Sequence, residues 1–211
     1  MNPLSDARLY CILDLGYVEE VDARRVAGGL LKGGADVLQL RAKKSDPATI
    51  GRIAEGLAPL CRDAGVPLII NDFPVLAAEV DADGVHIGQD DGTLEEVRRI
   101  VGPGKIIGRS THSLDQARAA LAEGFDYIGF GPLYPTPTKP GRPAIGLSDI
   151  AAMEKEVGSR IPAFCIGGVN PATLSEVTAA GARRVVVVSA LLQARDVEAA
   201  VREVKNELIA D

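Results

Sequence analysis

The stretch VLQLRAKKSDPATIGRIAEGLAPLCRDAGVPLIIND, residues 37–72, contains a short apolar run, a longer amphipathic run and a second short apolar run. Short apolar runs are typical of strands buried on both faces, whereas apolar residues three or four apart are typical of a helix that packs on one face. Gly65 follows the amphipathic run, where a left-handed residue often ends a helix. The stretch therefore predicts a strand, a helix and the next strand.

The same alternation continues along the whole chain and gives about eight strand–helix units. The predicted strands are LYCILDL, VLQLR, PLIIND, GVHIG, IIGRST, YIGFG, PAFCIGG and RVVVVSAL. The predicted helices are VEEVDARRVAGGLLKGG, DPATIGRIAEGLAPLCRDAG, FPVLAAEV, TLEEVRRIV, SLDQARAALAEG, SDIAAMEKEV, PATLSEVTAAG and VEAAVREVKNEL. Gly34, Gly124 and Gly181, like Gly65, stand just past a helical run.

Eight such units without an intervening linker predict an α/β chain folded as one catalytic (β/α)8 TIM barrel domain over residues 1–211. A doubly wound open sheet is the alternative. It would carry several glycines after its first strand, and LDLGYVEE has one.

Composition narrows the class of protein. Apolar residues make up 46% of 211 residues, and the formal charge of -6 comes from interspersed acids and bases. This pattern gives no basic face for nucleic acid or membrane, and MNPLSDARLY is not a signal sequence, so we expect a soluble cytoplasmic protein. Cys11, Cys61 and Cys165 are far apart in apolar surroundings, which predicts reduced core residues.

In a (β/α)8 barrel, functional side chains lie at the C-terminal ends of the strands. The second predicted strand ends with Gln39, Arg41 and Lys43 on alternating positions, so they share one side while the strand lasts. Polar groups facing the barrel interior require partners, which favours a ligand site. The alternative is a strand end that simply emerges into solvent.

Strands three and four end among amides and acids. Asn71 and Asp72 follow one strand, and Gln89, Asp90 and Asp91 follow the next. Oxygen ligands without clustered Cys or His suit Mg²⁺, which binds one or two carboxylates and a substrate phosphate. Alternatively, Asp72 caps the helix FPVLAAEV, and Asp90 or Asp91 caps TLEEVRRI.

The two histidines do not indicate a catalytic base. His86 lies inside the fourth predicted strand and His112 just after the fifth, where a hydrogen-bonded core or rim residue is the more common occurrence. The chain has no Ser-His-Asp spacing, HExxH or CxxC, so acyl transfer and zinc hydrolysis have little support.

Strands seven and eight are typical of a phosphate site. CIGGVNPATL has two glycines that allow a ligand to approach the backbone, with Asn170 as the predicted N-cap and Pro171 as the first helical residue. Ser189 lies at the mouth of strand eight. Backbone N–H groups of these loops bind phosphate in many barrels. Glycines required only for tight turning are the alternative.

The loop GPLYPTPTKPGRPAIG, residues 131–146, is rich in proline and follows strand six. Proline fixes φ and lowers the entropy that a loop loses on closing. Thr136, Thr138 and Lys139 supply donors for phosphate oxygens, so we interpret the loop as a pre-stiffened lid. A purely structural proline-rich loop remains the alternative.

The ordered set QLRAK, IND, DGVHIGQDD, STH, GPLYPTPTK, IGG and VVSA closely resembles the thiamine phosphate synthase family over nearly the whole chain. GPLYPTPTK is its most specific element. The resemblance implies a barrel that joins 4-amino-2-methyl-5-(diphosphooxymethyl)pyrimidine to a thiazole phosphate and releases pyrophosphate, with Mg²⁺ as cofactor. It implies small-molecule substrates and neither nucleic acid nor membrane as partner, and it leaves homo-oligomerisation open.

The resemblance also implies roles for individual residues. The pyrimidine pyrophosphate would contact Gln39, Arg41, Lys43, Asn71, Ser110 and Lys139. The thiazole phosphate would contact Thr136, Thr138, Gly168, Val188 and Ser189. Leu40, Ala42 and Pro137 would also belong to the substrate-binding residues. Mg²⁺ would be held by Asp72 and Asp91, and the catalytic residues would be Arg41, Lys43 and Lys139. The family mechanism is dissociative, so the protein would mainly position two substrates and stabilise departing charge.

Two positions depart from the family pattern. Arg109 stands where the synthases more often carry a small apolar residue, and the related thiazole tautomerases can carry arginine. A tautomerase-like isomerase is therefore the alternative function, although such relatives tend to lose TPTK and the metal aspartates. Asp90 is often glutamate in the family and leaves Asp91 in place. A non-catalytic sensor of a phosphorylated ligand would need neither the metal pair nor the stiff loop.

Overall fold

Eight parallel strands close into a barrel in chain order in the computed structural model, which describes residues 4–136 and 143–210. The strands are β1 Leu9–Asp14, β2 Val37–Arg41, β3 Leu68–Asn71, β4 Gly84–Ile87, β5 Ile106–Thr111, β6 Tyr127–Phe130, β7 Ala163–Cys165 and β8 Val185–Val187. The predicted (β/α)8 barrel is confirmed.

Helices connect the strands on the outside of the barrel. They are α1 Ala23–Gly33, α2 Pro47–Ala64, α3 Pro74–Glu79, α4 Leu94–Val101, α5 Leu114–Glu123, α6 Ile150–Met153, α7 Leu174–Ala179, α8 Ser189–Leu192 and α9 Val197–Ala210. A 3₁₀ turn, Glu20–Asp22, precedes α1, and a π-helical turn, Glu154–Gly158, continues α6. Within the described residues, no helix has the length and apolarity needed to cross a membrane.

The first and last strands close the barrel by pairing with each other. Tyr10 of β1 is in register with Val37 of β2 on one side and with Val186 of β8 on the other. Because successive strand residues point to opposite faces, Tyr10 and Ile12 line the interior, whereas the buried Cys11 lies on the helix side. All three cysteines are buried, as predicted.

Aromatic rings fill the middle of the barrel. The ring centroid of Phe164 lies 5.2 Å from that of Tyr10 and 5.9 Å from that of Tyr127, and both contacts are edge-to-face. The edge of one ring then meets the face of the next, the arrangement that aromatic quadrupoles prefer. This packed layer supports the cavity above it.

The helix ends agree with the sequence, but the last strand does not. Gly34, Gly65, Gly124 and Gly181 all have positive φ, as predicted. The predicted strand RVVVVSAL is wrong beyond Val187, because the chain leaves the extended conformation at Val188 and Ser189 begins α8. Buried apolar residues of a strand and of a short helix cannot be told apart by hydrophobicity alone.

Candidate active site

A cavity of about 110 Å³ opens at the C-terminal ends of the strands. Its wall contains, among the predicted site residues, Gln39, Arg41, Asn71, Ser110, Thr136, Gly168, Val188 and Ser189. The structure therefore brings together residues from β2, β3 and β5 and from the loops after β6, β7 and β8.

The other predicted site residues do not line this cavity. Leu40 and Ala42 are buried, and Leu40 alternates with Gln39 and Arg41, so it faces the helices. Lys43, Asp72 and Asp91 lie beyond the cavity wall. The predicted residues Pro137, Thr138 and Lys139 lie outside the described residues.

Arg41 is held by an ion pair that the sequence analysis did not identify. Its Nη1 donates to Asp14 at the end of β1, and both side chains are almost entirely buried. Asp14 also accepts a hydrogen bond from the Gly16 N–H at 2.9 Å through its other oxygen. The guanidinium is therefore oriented before any ligand binds. Asp14 is the last residue of β1. Its position at a strand end was the sequence feature that could have predicted a role in the site.

Lys43 and Asp72 are paired at the mouth of β2 and β3. Lys43 Nζ lies 3.0 Å from Asp72 Oδ2, and the Lys43 side chain is 48% exposed. Asp72 has a φ of 66°, in the left-handed region that few residues other than glycine, asparagine and aspartate adopt. The alternative that Asp72 caps α3 is wrong, because Phe73 is the N-cap and no side chain caps that helix.

Asp91 lies on the loop after β4. Its Oδ2 accepts a hydrogen bond of 2.7 Å from the Gly88 N–H. The alternative that Asp90 or Asp91 caps α4 is also wrong, because Thr93 is the N-cap and forms a capping box with Glu96. Both predicted metal residues are thus available for a role other than helix capping.

Asn71 presents a buried donor to the cavity. Its Nδ2 has no hydrogen-bond acceptor among the described residues, although the side chain is only 6% exposed. Buried polar atoms without partners are rare in folded proteins, and a ligand oxygen would satisfy this one. The β3 side of the cavity therefore carries a buried donor without an acceptor among the described residues.

The loop after β7 turns through two glycines with positive φ. A side chain at Gly168 would place its Cβ 2.6 Å from that of Tyr134, so packing as well as turning requires glycine there. Asn170 Oδ1 accepts from the Ala172 N–H at 2.9 Å. The helix begins only at Leu174, and Pro171 lies in the preceding turn rather than at the predicted first helical position. The backbone of Gly168 is therefore exposed to the cavity.

A continuous hydrogen-bonded chain forms the cavity floor. It joins Gln39, Tyr10, Tyr127, His86 and Ser110, all of which line the cavity. Burial raises the pKa of both phenols, so both stay protonated at neutral pH. The prediction that His86 is a hydrogen-bonded core residue is confirmed. The two tyrosines were missed, because a tyrosine in an apolar strand gives no sequence signal.

Arg109 points away from the cavity. Its guanidinium donates to the carbonyl oxygens of Gly92 at 2.8 Å and Gln89 at 3.0 Å, and it lies 5.3 Å from the ring centre of Phe125. Arg109 therefore holds the loop that carries Asp91. His112 lies on the rim, where Nδ1 is bonded to the carbonyl oxygen of Gly131.

Fold and site together define a (β/α)8 barrel whose mouth offers cationic, amide and backbone groups to anionic ligands. The family model described as thiamine monophosphate synthase matches residues 9–191. The chain belongs to the thiamine monophosphate synthase family.

Two relatives and one solved structure carry names of the same family. A thiamine-phosphate synthase of Thermus thermophilus is 47% identical over 178 residues, which covers 84% of this chain and 85% of that protein. One from Chloroflexus aurantiacus is 43% identical over 201 residues, covering 95% and 92%. The structure of a thiamine phosphate pyrophosphorylase from Pyrococcus furiosus superposes with a TM-score of 0.87 at 32% identity, covering 99% of this chain and 97% of that one.

Proposed function

We propose that this protein is a thiamine phosphate synthase, a transferase. It joins 4-amino-2-methyl-5-(diphosphooxymethyl)pyrimidine to a thiazole phosphate and releases pyrophosphate. Membership of the family and the relatives' shared name support this function. The barrel would act as one catalytic domain in the cytoplasm, on small-molecule substrates.

The observation that carries the proposal is the convergence of two anion-suited surfaces on one cavity. Arg41 and Asn71 lie on the β2–β3 side, whereas Gly168 and Ser189 lie on the β7–β8 side. A reaction between a pyrophosphate ester and a phosphate monoester requires two such surfaces facing one apolar space. The rings of Tyr10, Tyr127 and Phe164 supply that apolar space.

Asp72 and Asp91 fit a Mg²⁺ ion by their chemistry. They are oxygen donors beside the mouth, and the described residues contain no cluster of three or more His, Cys, Asp or Glu that could hold a metal. Mg²⁺ in phosphate-processing sites uses one or two carboxylates and takes its remaining ligands from water and substrate. Bound there, it would supply positive charge to the pyrophosphate.

The protein's own groups act by position and charge. Arg41, oriented by Asp14, would bind pyrophosphate oxygens. Lys43, beside the opening of the cavity, would bind the same pyrophosphate. The bond between the methylene carbon and the pyrophosphate oxygen breaks with both electrons going to oxygen. The thiazole nitrogen then donates its lone pair to that carbon. No proton is transferred in either step, so neither step requires a general base.

Thr138 and Lys139 lie outside the described residues, and their proposed roles rest on the sequence alone. Thr138 would assist Thr136 with the thiazole phosphate, and Lys139 would bind the pyrophosphate. Each charge-assisted contact contributes roughly 1.5–3 kcal/mol. Preorganised charge of this kind is the main source of stabilisation when negative charge develops on a leaving group.

Calorimetric titration with unreactive ligands tests the two-surface arrangement. We expect pyrophosphate and thiazole phosphate to bind at the same time, with pyrophosphate bound more tightly when Mg²⁺ is present. Arg41→Lys keeps the charge but loses the paired geometry, so it should weaken pyrophosphate binding about tenfold without changing thiazole phosphate binding. Arg98→Lys, at a partly buried arginine that pairs with Asp126 and does not line the cavity, is the matched control and should change neither. Mutually exclusive binding of the two ligands would contradict the proposal.

A further inference from the structure

A series of four hydrogen bonds runs through the floor of the cavity, and its donors and acceptors follow one direction. Gln39 Nε2 donates to the Tyr10 hydroxyl at 2.7 Å, and that hydroxyl lies 2.9 Å from the hydroxyl of Tyr127. Tyr127 lies 3.0 Å from His86 Nδ1, and His86 Nε2 lies 2.9 Å from Ser110 Oγ. All five side chains are at least nine-tenths buried.

The direction of the chain begins at Gln39, because an amide nitrogen only donates. The Tyr10 oxygen therefore accepts at this end, and its own proton needs another acceptor. Among the described residues, Tyr127 is the only other hydrogen-bond partner of Tyr10. Tyr10 consequently donates to Tyr127.

The hydrogen bonds on the two sides of His86 run in the same direction. Tyr127 accepts from Tyr10, so its own proton goes to His86 Nδ1, which must then be an unprotonated acceptor. The proton of the neutral imidazole is left on Nε2, where it points at Ser110 Oγ. The opposite direction would leave the Tyr10 hydroxyl proton buried without an acceptor, which folded proteins avoid.

We propose that these hydrogen bonds form a polarised relay that holds His86 in the Nε2-protonated form and orients Ser110 Oγ as the acceptor of the Nε2 proton. Ser110 Oγ accepts the histidine proton, so its own hydroxyl proton is directed to a partner other than His86. The relay therefore fixes the orientation of the Ser110 hydroxyl on the cavity wall. Tyr10 and Tyr127 are positioning residues, since they act on the ligand through His86 and Ser110.

Nitrogen NMR of histidine tests the relay directly, because the chain has only two histidines. In protein labelled with ¹⁵N-histidine, the imidazole of His86, assigned with a His112→Gln variant, should show a protonated Nε2 and an unprotonated Nδ1 at neutral pH. A protonated Nδ1 in the unaltered protein would overturn the proposal. This measurement needs no substrate and no turnover.

Reversal of the relay from its far end is the second test. In Gln39→Glu, the new carboxylate accepts the hydroxyl proton of Tyr10. Tyr10 can then no longer donate to Tyr127, so the Tyr127 hydroxyl donates to Tyr10 instead. His86 Nδ1 must then become the donor to Tyr127. We expect Nδ1 of His86 to become protonated. The matched control is Gln89→Glu, which places the same charge change beside Ser110 but outside the relay, since Gln89 Nε2 bonds the Ser110 backbone carbonyl. An Nδ1 that responds equally in both variants would overturn the relay.

The kinetic consequence rests on the proposed function and is separable from it. Tyr127→Phe removes the donor to His86 Nδ1, so the KM for the pyrimidine substrate should rise about tenfold, as expected for one weakened hydrogen bond. The KM for the thiazole phosphate should stay unchanged. Equal changes in both would refute an effect that passes through Ser110, whereas absent turnover with the expected NMR pattern would refute the function and leave the relay in place.

Discussion

Lys43 Nζ lies 3.0 Å from Asp72 Oδ2, so the cation that follows β2 is paired with the acid that follows β3. The pair lies next to the cavity that Arg41 and Asn71 line. Its side chains remain partly exposed, 48% for Lys43 and 20% for Asp72. A partly exposed pair contributes little to stability, and its position favours a role in ligand binding.

Asp72→Asn should weaken Mg²⁺ dependence without unfolding the protein. Asparagine tolerates a φ of 66°, so the backbone keeps its conformation. Loss of one charge-assisted contact corresponds to a fall in kcat/KM of roughly tenfold to a hundredfold. Titration of the rate with Mg²⁺ measures the effect, and Asp91→Asn should behave alike. Asp90→Asn, a neighbouring acid without a proposed metal role, is the control, and an equal loss there would count against a specific metal pair.

Asp14→Asn should destabilise the fold and impair pyrophosphate binding. Asp14 and Arg41 form a buried ion pair, and removal of one partner leaves the other charge buried, at a cost of about 3 kcal/mol. Urea unfolding followed by circular dichroism measures this cost. Asp115→Asn breaks the exposed pair with Arg118 and should cost less than about 1 kcal/mol. Similar costs for the two variants would show that Arg41 does not depend on Asp14.

Gly108→Ala should disrupt the floor of the cavity. A Cβ at this position would lie 2.1 Å from the Tyr127 ring, and the buried ring has no room to withdraw. Overpacking of this kind costs roughly 1–3 kcal/mol or more. At Gly129, the nearest atom to an added Cβ is His86 Cε1 at 3.6 Å, so Gly129→Ala should fold normally. Thermal unfolding of the two variants compares them, and equal stability would contradict the packing of Tyr127.

Glu154→Gln should stabilise the protein at neutral pH. Burial raises the pKa of Glu154, and its Oε1 accepts from the Arg183 N–H at 3.0 Å. Because the pKa of Glu154 is higher in the folded state, protonated Glu154 favours the folded state. This contribution to the free energy of unfolding is fully present below the pKa of Glu154 in the unfolded chain, and it is lost as pH rises through the pKa of the folded state. Glutamine keeps the acceptor and has no charge to bury, so the loss should disappear.

Glu156→Gln supplies the opposite control in the same pH series. The Arg118 hydrogen bond lowers the pKa of Glu156, so its contribution is present above the unfolded pKa and is lost as pH falls. The change in the free energy of unfolding caused by each variant is plotted against pH from acid to neutral. The slopes for Glu154→Gln and Glu156→Gln should therefore have opposite signs. Parallel slopes would refute the assignment of Glu154 as a buried acid.

The barrel could be predicted from sequence because the strands and helices carry different hydrophobic periods, and because Gly34, Gly65, Gly124 and Gly181 follow helical runs. The strand ends also predicted functional side chains at Gln39, Arg41 and Asn71, and all three line the cavity. Contacts between distant parts of the chain could not be predicted. Asp14 meets Arg41, and Tyr10 meets Tyr127, only after the barrel closes. Asp72 and Asp91 are typical helix caps by type, and only backbone geometry shows that Phe73 and Thr93 hold those positions.

The most direct test of the proposed synthase is product formation from its two substrates. The purified protein is incubated with the pyrimidine pyrophosphate and the thiazole phosphate, with Mg²⁺ or with EDTA, and thiamine phosphate is followed after oxidation to its fluorescent thiochrome form. We predict product with Mg²⁺ and none with EDTA. A folded protein that forms no product in either condition, but isomerises the thiazole phosphate alone, would contradict the account.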